Sequence, residues 1–428
     1  MPARPPDGDP APTTGELPPT ALAEFGSGSR AFGAYVHVPF CLRRCGYCDF
    51  NTYTPGELGE SGVSTPMESY LDAAMAEIAL AARVLPRRPL DTVFLGGGTP
   101  TLLPPDRLAA LLGALESAFG FAPDVEITTE ANPDTVDPRR DAADGPGHIA
   151  RLAEAGVTRI SLGMQSAVPH VLATLDRTHD QEAVGAAVRA ARQAGLATSV
   201  DLIYGTPGES LDDWRTSLEA AIALEPDHVS AYALVVEEGT RLAAQVRRGE
   251  VAAPDDDDEA DKYELAEDLL GAAGHRWYEV SNWTRGERGI CRHNEGYWRS
   301  DDWWGFGPGA HSHVGGVRWW NVRHPAAYAS RLASGTSPAQ ARELLTEDQR
   351  YEEDVLLRIR LAEGLATARL RPEGRAAVDS VVADGLAEVV RGASRAESSE
   401  GEGGAGDRLV LSPRGRLLVD TVLRRLLP

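Results

Sequence analysis

Three thiols crowd the amino-terminal part of the chain. In His37-Val-Pro-Phe-Cys41-Leu-Arg-Arg-Cys45-Gly-Tyr-Cys48-Asp-Phe they follow the spacing C-x3-C-x2-C. That spacing sets three soft sulfur ligands on one loop, near enough to hold one compact metal centre. A structural zinc site asks for four protein ligands, and the remaining cysteine, Cys291, lies far downstream in a different segment. Iron and sulfide suit three thiolates better, because a cubane held at three corners leaves its fourth iron open to a small molecule. Four cysteines in 428 residues also cannot make a disulfide framework.

Other residue types capable of chemistry recur at the ends of apolar runs. Gly96-Gly97-Gly98-Thr99-Pro100 offers backbone N–H and C=O groups at close range, and its proline stiffens the exit. Glu130 in TTEANP, Gln165 in SLGMQS, Arg177 in LDRTH and Asp201 in DLIYG stand in similar positions. Carboxylate acceptors and a guanidinium donor that converge on one mouth suit a small polar ligand bearing both charges.

The elements that must position these groups are legible from periodicity. Between Ala34 and about Gly239, short β-branched runs alternate with Ala- and Leu-rich amphipathic stretches, the pattern of successive βα units around a parallel sheet. Strands are expected at Ala34–Val38, Thr92–Leu95, Val125–Thr129, Arg159–Leu162, Thr198–Ile203 and Val229–Leu234. Helices are expected at Met67–Val84, Pro105–Phe119, Ile149–Ala155, Gln181–Ala194 and Leu211–Ala223. The fold class is therefore α/β, with six βα units either curling into a partial parallel (β/α)6 barrel or lying open, and with the chemistry at the carboxyl ends of the strands. Residues 1–30, rich in Pro, Gly and Ala, read as a disordered tail, and 31–240 as the core. An α+β extension over 241–340 starts a helix with the acidic run Asp255–Glu259 and then becomes dense in Trp, Tyr, Gly and His. Residues 341–428 read as a small winged-helix-like unit, with a mobile low-complexity insert at Gly392–Gly406.

Acidic residues outnumber basic ones by 64 to 42, a formal charge of −22, so the field of the chain repels a phosphate backbone and nucleic acid is not an expected partner. No run approaches the roughly 18 to 20 apolar residues of a membrane span, and the first residues lack the layout of a secretory signal. A cytoplasmic location without membrane insertion is the expectation. Lys262, the only lysine, carries no functional weight here.

C-x3-C-x2-C with an aromatic residue, Tyr47, before the third cysteine resembles the radical S-adenosylmethionine superfamily. The resemblance implies that Cys41, Cys45 and Cys48 hold a 4Fe–4S cluster. The methionine part of S-adenosylmethionine then chelates the fourth iron, and one electron cleaves the sulfonium to a 5′-deoxyadenosyl radical. It further implies that Gly97, Gly98 and Thr99 meet the cofactor's amino group, that Glu130 and Asp201 hold its polar groups, that Gln165 serves the ribose and Arg177 the carboxylate, and that Tyr35 and Tyr47 pack near the cluster.

The series YVHVPFC, YCDFN, GGGTPT, EANP, RISLGMQS, DLIYGTPGES, YEVSNW, CRHNEGYW and GFGPGAHS narrows the resemblance. It is similar to the family of oxygen-independent coproporphyrinogen III oxidases and their heme-chaperone relatives, the HemW branch. The oxidases carry a fourth cysteine two positions after the third, where this chain has Phe50, and phenylalanine cannot replace a thiol. His293-Asn294-Glu295-Gly296-Tyr297-Trp298 matches the HNxxYW motif proposed for heme contact in the chaperone branch. By resemblance, then, the chain binds heme and passes it to apo-hemoproteins such as respiratory enzymes, with a homodimer as the expected assembly. The alternative is the oxidase, which decarboxylates two propionates of coproporphyrinogen III to give protoporphyrinogen IX. Imidazole is a common heme ligand, which makes His293 the candidate for the iron, with Cys291 as a competing thiolate. His37 and His311 read as hydrogen bonders that shape the site, and the Trp303-Trp304 and Trp319-Trp320 pairs as core or pocket walls.

Overall fold

The computed structural model describes residues 8–58, 64–141, 147–392 and 406–427. Thirteen strands form one sheet. In chain order they are β1 (Asp9–Pro10), β2 (Phe32–Val38), β3 (Leu90–Gly97), β4 (Phe121–Ala131), β5 (Arg159–Gln165), β6 (Ala197–Tyr204), β7 (His228–Ala233), β8 (Arg276–Glu279), β9 (Asn282–Thr284), β10 (Asp302–Phe306), β11 (His311–Val314), β12 (Val317–Asn321) and β13 (Ala339–Leu344). Their spatial order is β1-β13-β12-β11-β10-β2-β3-β4-β5-β6-β7-β9-β8. Strands β2 to β7 are parallel neighbours in sequence order. Helices at Ser64–Val84, Pro105–Phe119, His148–Glu154, Gln181–Gln193 and Leu211–Ala223 connect them, which matches the βα rhythm expected from the sequence.

Strand periodicity divides the side chains of this sheet between two environments. Ala34, Val36, Val93, Leu95, Ile160, Leu162, Val200, Leu202, Val229 and Ala231 belong to the buried apolar core. The alternate positions, Tyr35, Phe94, Thr128, Glu130, Ser161, Gly163, Ser199, Asp201 and Ser230, line a cavity on the other face. Helix starts follow local capping chemistry. Asp180 accepts from Ala183 N, and Ser210 and Asp213 form a reciprocal capping box. Asp255 caps the helix Asp256–Ala272, so the acidic run opens a helix as expected.

The remaining strands depart from the expected layout. The β8–β9 hairpin covers the free edge of β7, and β10 pairs in parallel with β2, carrying β11, β12 and β13 outward from it. One sheet and one apolar core therefore cross the boundary expected at residue 240. The expected disordered tail is also corrected for residues 8–30. β1 pairs with β13, and the helix Pro19–Gly26 buries Ala21 and Phe25. Phe25 meets Phe32 edge-on at 4.9 Å and lies under the Arg88 guanidinium at 5.2 Å. Composition alone missed this because the apolar groups that the segment buries against come from distant parts of the chain. Residues 1–7 lie outside the described residues, as does most of the expected mobile insert.

A second sheet, β14 (Leu365–Ala366), β15 (Ala387–Val390) and β16 (Arg408–Leu411), has the antiparallel order β14-β16-β15. With the helices Glu347–Arg358, Pro372–Ala383 and Val419–Leu426 it encloses its own core around Val355, Ile359, Val381, Leu409 and Val422. Arg416 fastens this unit to the main sheet, stacking 3.7 Å over Trp277 and pairing with Glu267 at 3.0 Å. Among the described residues no helix is long and apolar enough to cross a membrane.

Candidate functional site

The loop after β2 is closed at its base by Cys41 N donating to Tyr53 O at 3.1 Å and Tyr53 N donating to Pro39 O at 2.7 Å. The glycine-rich segment after β3 clamps its start, with Gly98 N on Val38 O and Thr99 N on Phe40 O, both at 2.8 Å. A Cβ on Gly98 would stand 2.4 Å from Phe40 O, and Gly97 adopts φ +103, so this approach requires glycine. Cys41, Cys45 and Cys48 line the mouth of a cavity of about 620 Å³. Thr99 Oγ1 donates to Cys41 Sγ at 3.8 Å, and Arg177 Nη1 to Cys45 Sγ at 3.4 Å. Burial pushes the Cys41 thiol up and the Cys48 thiol up to about 12, so thiolates here call for a positive partner such as iron. Among the described residues no three His, Cys, Asp or Glu side chains close on a single ion.

Deeper in the cavity sit two carboxyls. Glu130 Oε2 accepts from Gly97 N at 3.0 Å. Burial, and then the nearby Asp201, push its pKa up to about 8. Asp201 accepts from Ser161 Oγ at 2.9 and 2.8 Å and from Ser199 Oγ at 3.3 Å, and burial raises it as well. Two half-buried carboxyls whose pKa values are both raised favour a cationic ligand, whose charge would offset the cost of ionising them. Arg177 Nη2 donates to Gly163 O at 2.8 Å and Asn132 Oδ1 at 3.3 Å, while its buried Nε has no partner. Gln165 ends β5 at φ 62, and a Cβ on Gly163 would stand 2.7 Å from its Nε2 and 3.1 Å from Arg177 Nη2. An amide, a guanidinium with an unpartnered N–H and two carboxyls fit an amino-acid-bearing cation. The unpartnered Thr128 Oγ1 is a further polar group on the same wall.

Tyr35, Tyr47, Gly97, Gly98, Thr99, Glu130, Gln165, Arg177, Asp201 and His293 all line this one cavity with the three cysteines. Sequence reasoning missed Arg159, Ser199, His228 and Ser230, which share it. The signal was present as polar residues at alternate positions of otherwise apolar strands.

His293 lines the cavity with both ring nitrogens hydrogen-bonded. Its Nδ1 meets Thr92 Oγ1 at 2.8 Å, its Nε2 meets Tyr297 OH at 2.9 Å, and its ring stacks on Phe94 at 5.2 Å. Both nitrogens are occupied, and burial lowers its pKa to about 3. The Cys291 thiol is buried and donates to Glu126 Oε1 at 3.7 Å.

A second cavity of about 330 Å³ adjoins the first and shares the walls Tyr35, Gly97, Glu130 and Tyr297 with it. Trp303 and His311 line it, whereas Trp304, Trp319 and Trp320 are buried in the core of the sheet. His311 was expected to be a hydrogen bonder, yet among the described residues its ring makes no hydrogen bond. Burial and then Arg323 lower its pKa.

A profile of the radical SAM superfamily matches residues 35–221. The chain is 52% identical over 397 residues to the heme chaperone HemW of Mycobacterium tuberculosis, a match covering 92% of this chain and 95% of that protein. It is 32% identical over 338 residues to the heme chaperone HemW of Bacillus subtilis, covering 78% of this chain and 85% of that protein. Among solved structures, the coproporphyrinogen III oxidase HemN of Escherichia coli, described as a radical SAM enzyme, aligns with a TM-score of 0.74 over 95% of this chain and 92% of its own. At 22% identity this is a likeness of fold.

Proposed function

Because the chain belongs to the heme chaperone HemW family within the radical SAM superfamily, we propose that it binds a 4Fe–4S cluster, S-adenosylmethionine and heme, and hands the heme to apo-hemoproteins. The observation that carries this reading is a single cavity walled by three thiols, two half-buried carboxyls and an arginine whose Nε is unpartnered, next to a phenylalanine where an oxidase has its fourth cysteine. Cys41, Cys45 and Cys48 would hold the cluster, with Thr99 and Arg177 donating to its sulfur ligands. When bound, the cluster supplies an open iron and a one-electron reductant beside the sulfonium.

The chain's own residues then orient the cofactor. Glu130, backed by Gly97 N, takes the amino group, Arg177 Nε takes the carboxylate, and Asp201 and Gln165 take the ribose side. Tyr35 and Tyr47 shield the cluster from water. In this reading the chain works in the cytoplasm, meets membrane-bound respiratory acceptors only transiently, and is a homodimer.

Anaerobic incubation of the iron-loaded chain with heme and an apo-hemoprotein tests it, the expected result being transfer faster than from free heme. A parallel incubation with coproporphyrinogen III, a reductant and S-adenosylmethionine discriminates the oxidase. Protoporphyrinogen formed above the cofactor-only background would move the chain to the decarboxylating branch.

A further inference from the structure

We propose that heme iron is bound through an imidazole nitrogen of His311, in the smaller cavity, and not through His293; this assignment rests on the heme-binding reading above. Four histidines line the two cavities. His37 holds Tyr35 OH at 3.0 Å and Asn51 O at 2.9 Å. His228 holds Ser199 Oγ at 2.7 Å and Tyr278 OH at 2.8 Å. His293 is saturated by Thr92 and Tyr297. Each of these would have to give up a buried or part-buried hydrogen bond to reach a metal, at a cost of up to about 1–3 kcal/mol where the partner is left unsatisfied. His311 gives up none, since neither ring nitrogen has a hydrogen-bond partner among the described residues.

His311 is also held in position. Its ring stacks on the buried Trp320 at 5.8 Å and 25°, and its carbonyl accepts from Trp303 Nε1 at 3.0 Å. Stacked on one side and exposed at the rim of the cavity, the ring can meet a ligand without rearranging its neighbours. Trp303, Tyr297, Tyr35 and the exposed Phe50 offer the flat apolar walls that a porphyrin needs. At about 330 Å³ the cavity would hold only part of a porphyrin, the rest extending into the larger neighbour with which it shares Tyr35, Gly97, Glu130 and Tyr297. Asp49 and Phe50 line both cavities directly after Cys48, so the segment that would grip the cluster also touches the bound heme.

The test is hemin titration of the full-length, iron-loaded chain, followed by Soret absorbance and electron paramagnetic resonance. The variants are His311→Ala, His311→Met and His293→Ala, with iron content measured for each. His311→Ala should bind hemin about tenfold or more weakly with a changed spin state, and added imidazole should restore the parent spectrum. His311→Met should give a new spectrum characteristic of sulfur ligation, and His293→Ala should keep the parent ligation signature. Parent affinity and spectrum in both His311 variants would overturn the assignment while leaving heme binding intact. Failure of the parent chain itself to bind hemin would overturn both.

Discussion

Arg177 makes its case one atom at a time. Its Nη1 points at Cys45 Sγ, its Nη2 at Gly163 O, and its Nε is buried with nothing to bond. A guanidinium left short of one acceptor suits a ligand carboxylate, and a charge-assisted bond of about 1.5–3 kcal/mol translates into roughly ten- to hundredfold in affinity. Arg177→Gln is expected to weaken S-adenosylmethionine binding by that factor, measured by equilibrium dialysis at matched iron content. Glu130 adds a pH dependence. With its pKa raised from 4.5 to about 8 by burial and Asp201, it is mostly protonated at neutral pH in the empty protein. A cationic ligand needs the ionised form, so affinity should climb by up to about tenfold per pH unit toward pH 8 and level off above it. Glu130→Gln should bind more weakly and with a flat profile over the same range. The sign for stability is the reverse. The raised carboxyl favours folding fully below its unfolded value near 4.5, and that contribution fades as pH rises through about 8.

Elements place these atoms through two local rules. The βα rhythm sends the carboxyl end of every parallel strand to one side, and the two-residue period sends alternate side chains to the cavity. Both are written in short stretches of sequence, which is why Glu130, Gln165 and Asp201 were found from strand ends. Contacts that need a distant partner were not legible in the same way. The helix Pro19–Gly26 is short and Pro-flanked, and it holds because Phe25 reaches Phe32 and Arg88. The clamp between the β3 exit and the cysteine loop is a second such element. Gly98→Ala should displace Phe40 O and with it the base of the loop. The expected outcome is a folded chain with most of its iron lost on anaerobic reconstitution, read by iron and sulfide assay and by circular dichroism.

On the scale of the whole molecule, one sheet joins segments far apart in the chain. The pairing of β10 with β2 brings the HNxxYW segment and His311 beside the cysteine loop. A group that binds the native chain and not the unfolded one stabilises it in proportion to the logarithm of its saturation. Stripping iron with a chelator under anaerobic conditions should therefore lower Tm by several degrees. It should also reduce hemin affinity, because Asp49 and Phe50 wall both cavities and lose their anchor with the cluster. Calorimetry and hemin titration before and after chelation check both effects.

What the sequence determined by itself was whatever depends on covalent spacing. Thiols separated by three and two residues share a loop, polar residues alternate along apolar strands, and Phe50 stands where the oxidases that the chain resembles carry a thiol. Only the tertiary structure decided which imidazole keeps its lone pairs. Thr92 and Tyr297 quench His293, and Ser199 and Tyr278 quench His228, through contacts made mostly between separate elements, while the exposed His311 ring has no hydrogen-bond partner among the described residues. A hydrogen-bond partner is a fact about three-dimensional neighbours, and spacing along the chain carries no record of it.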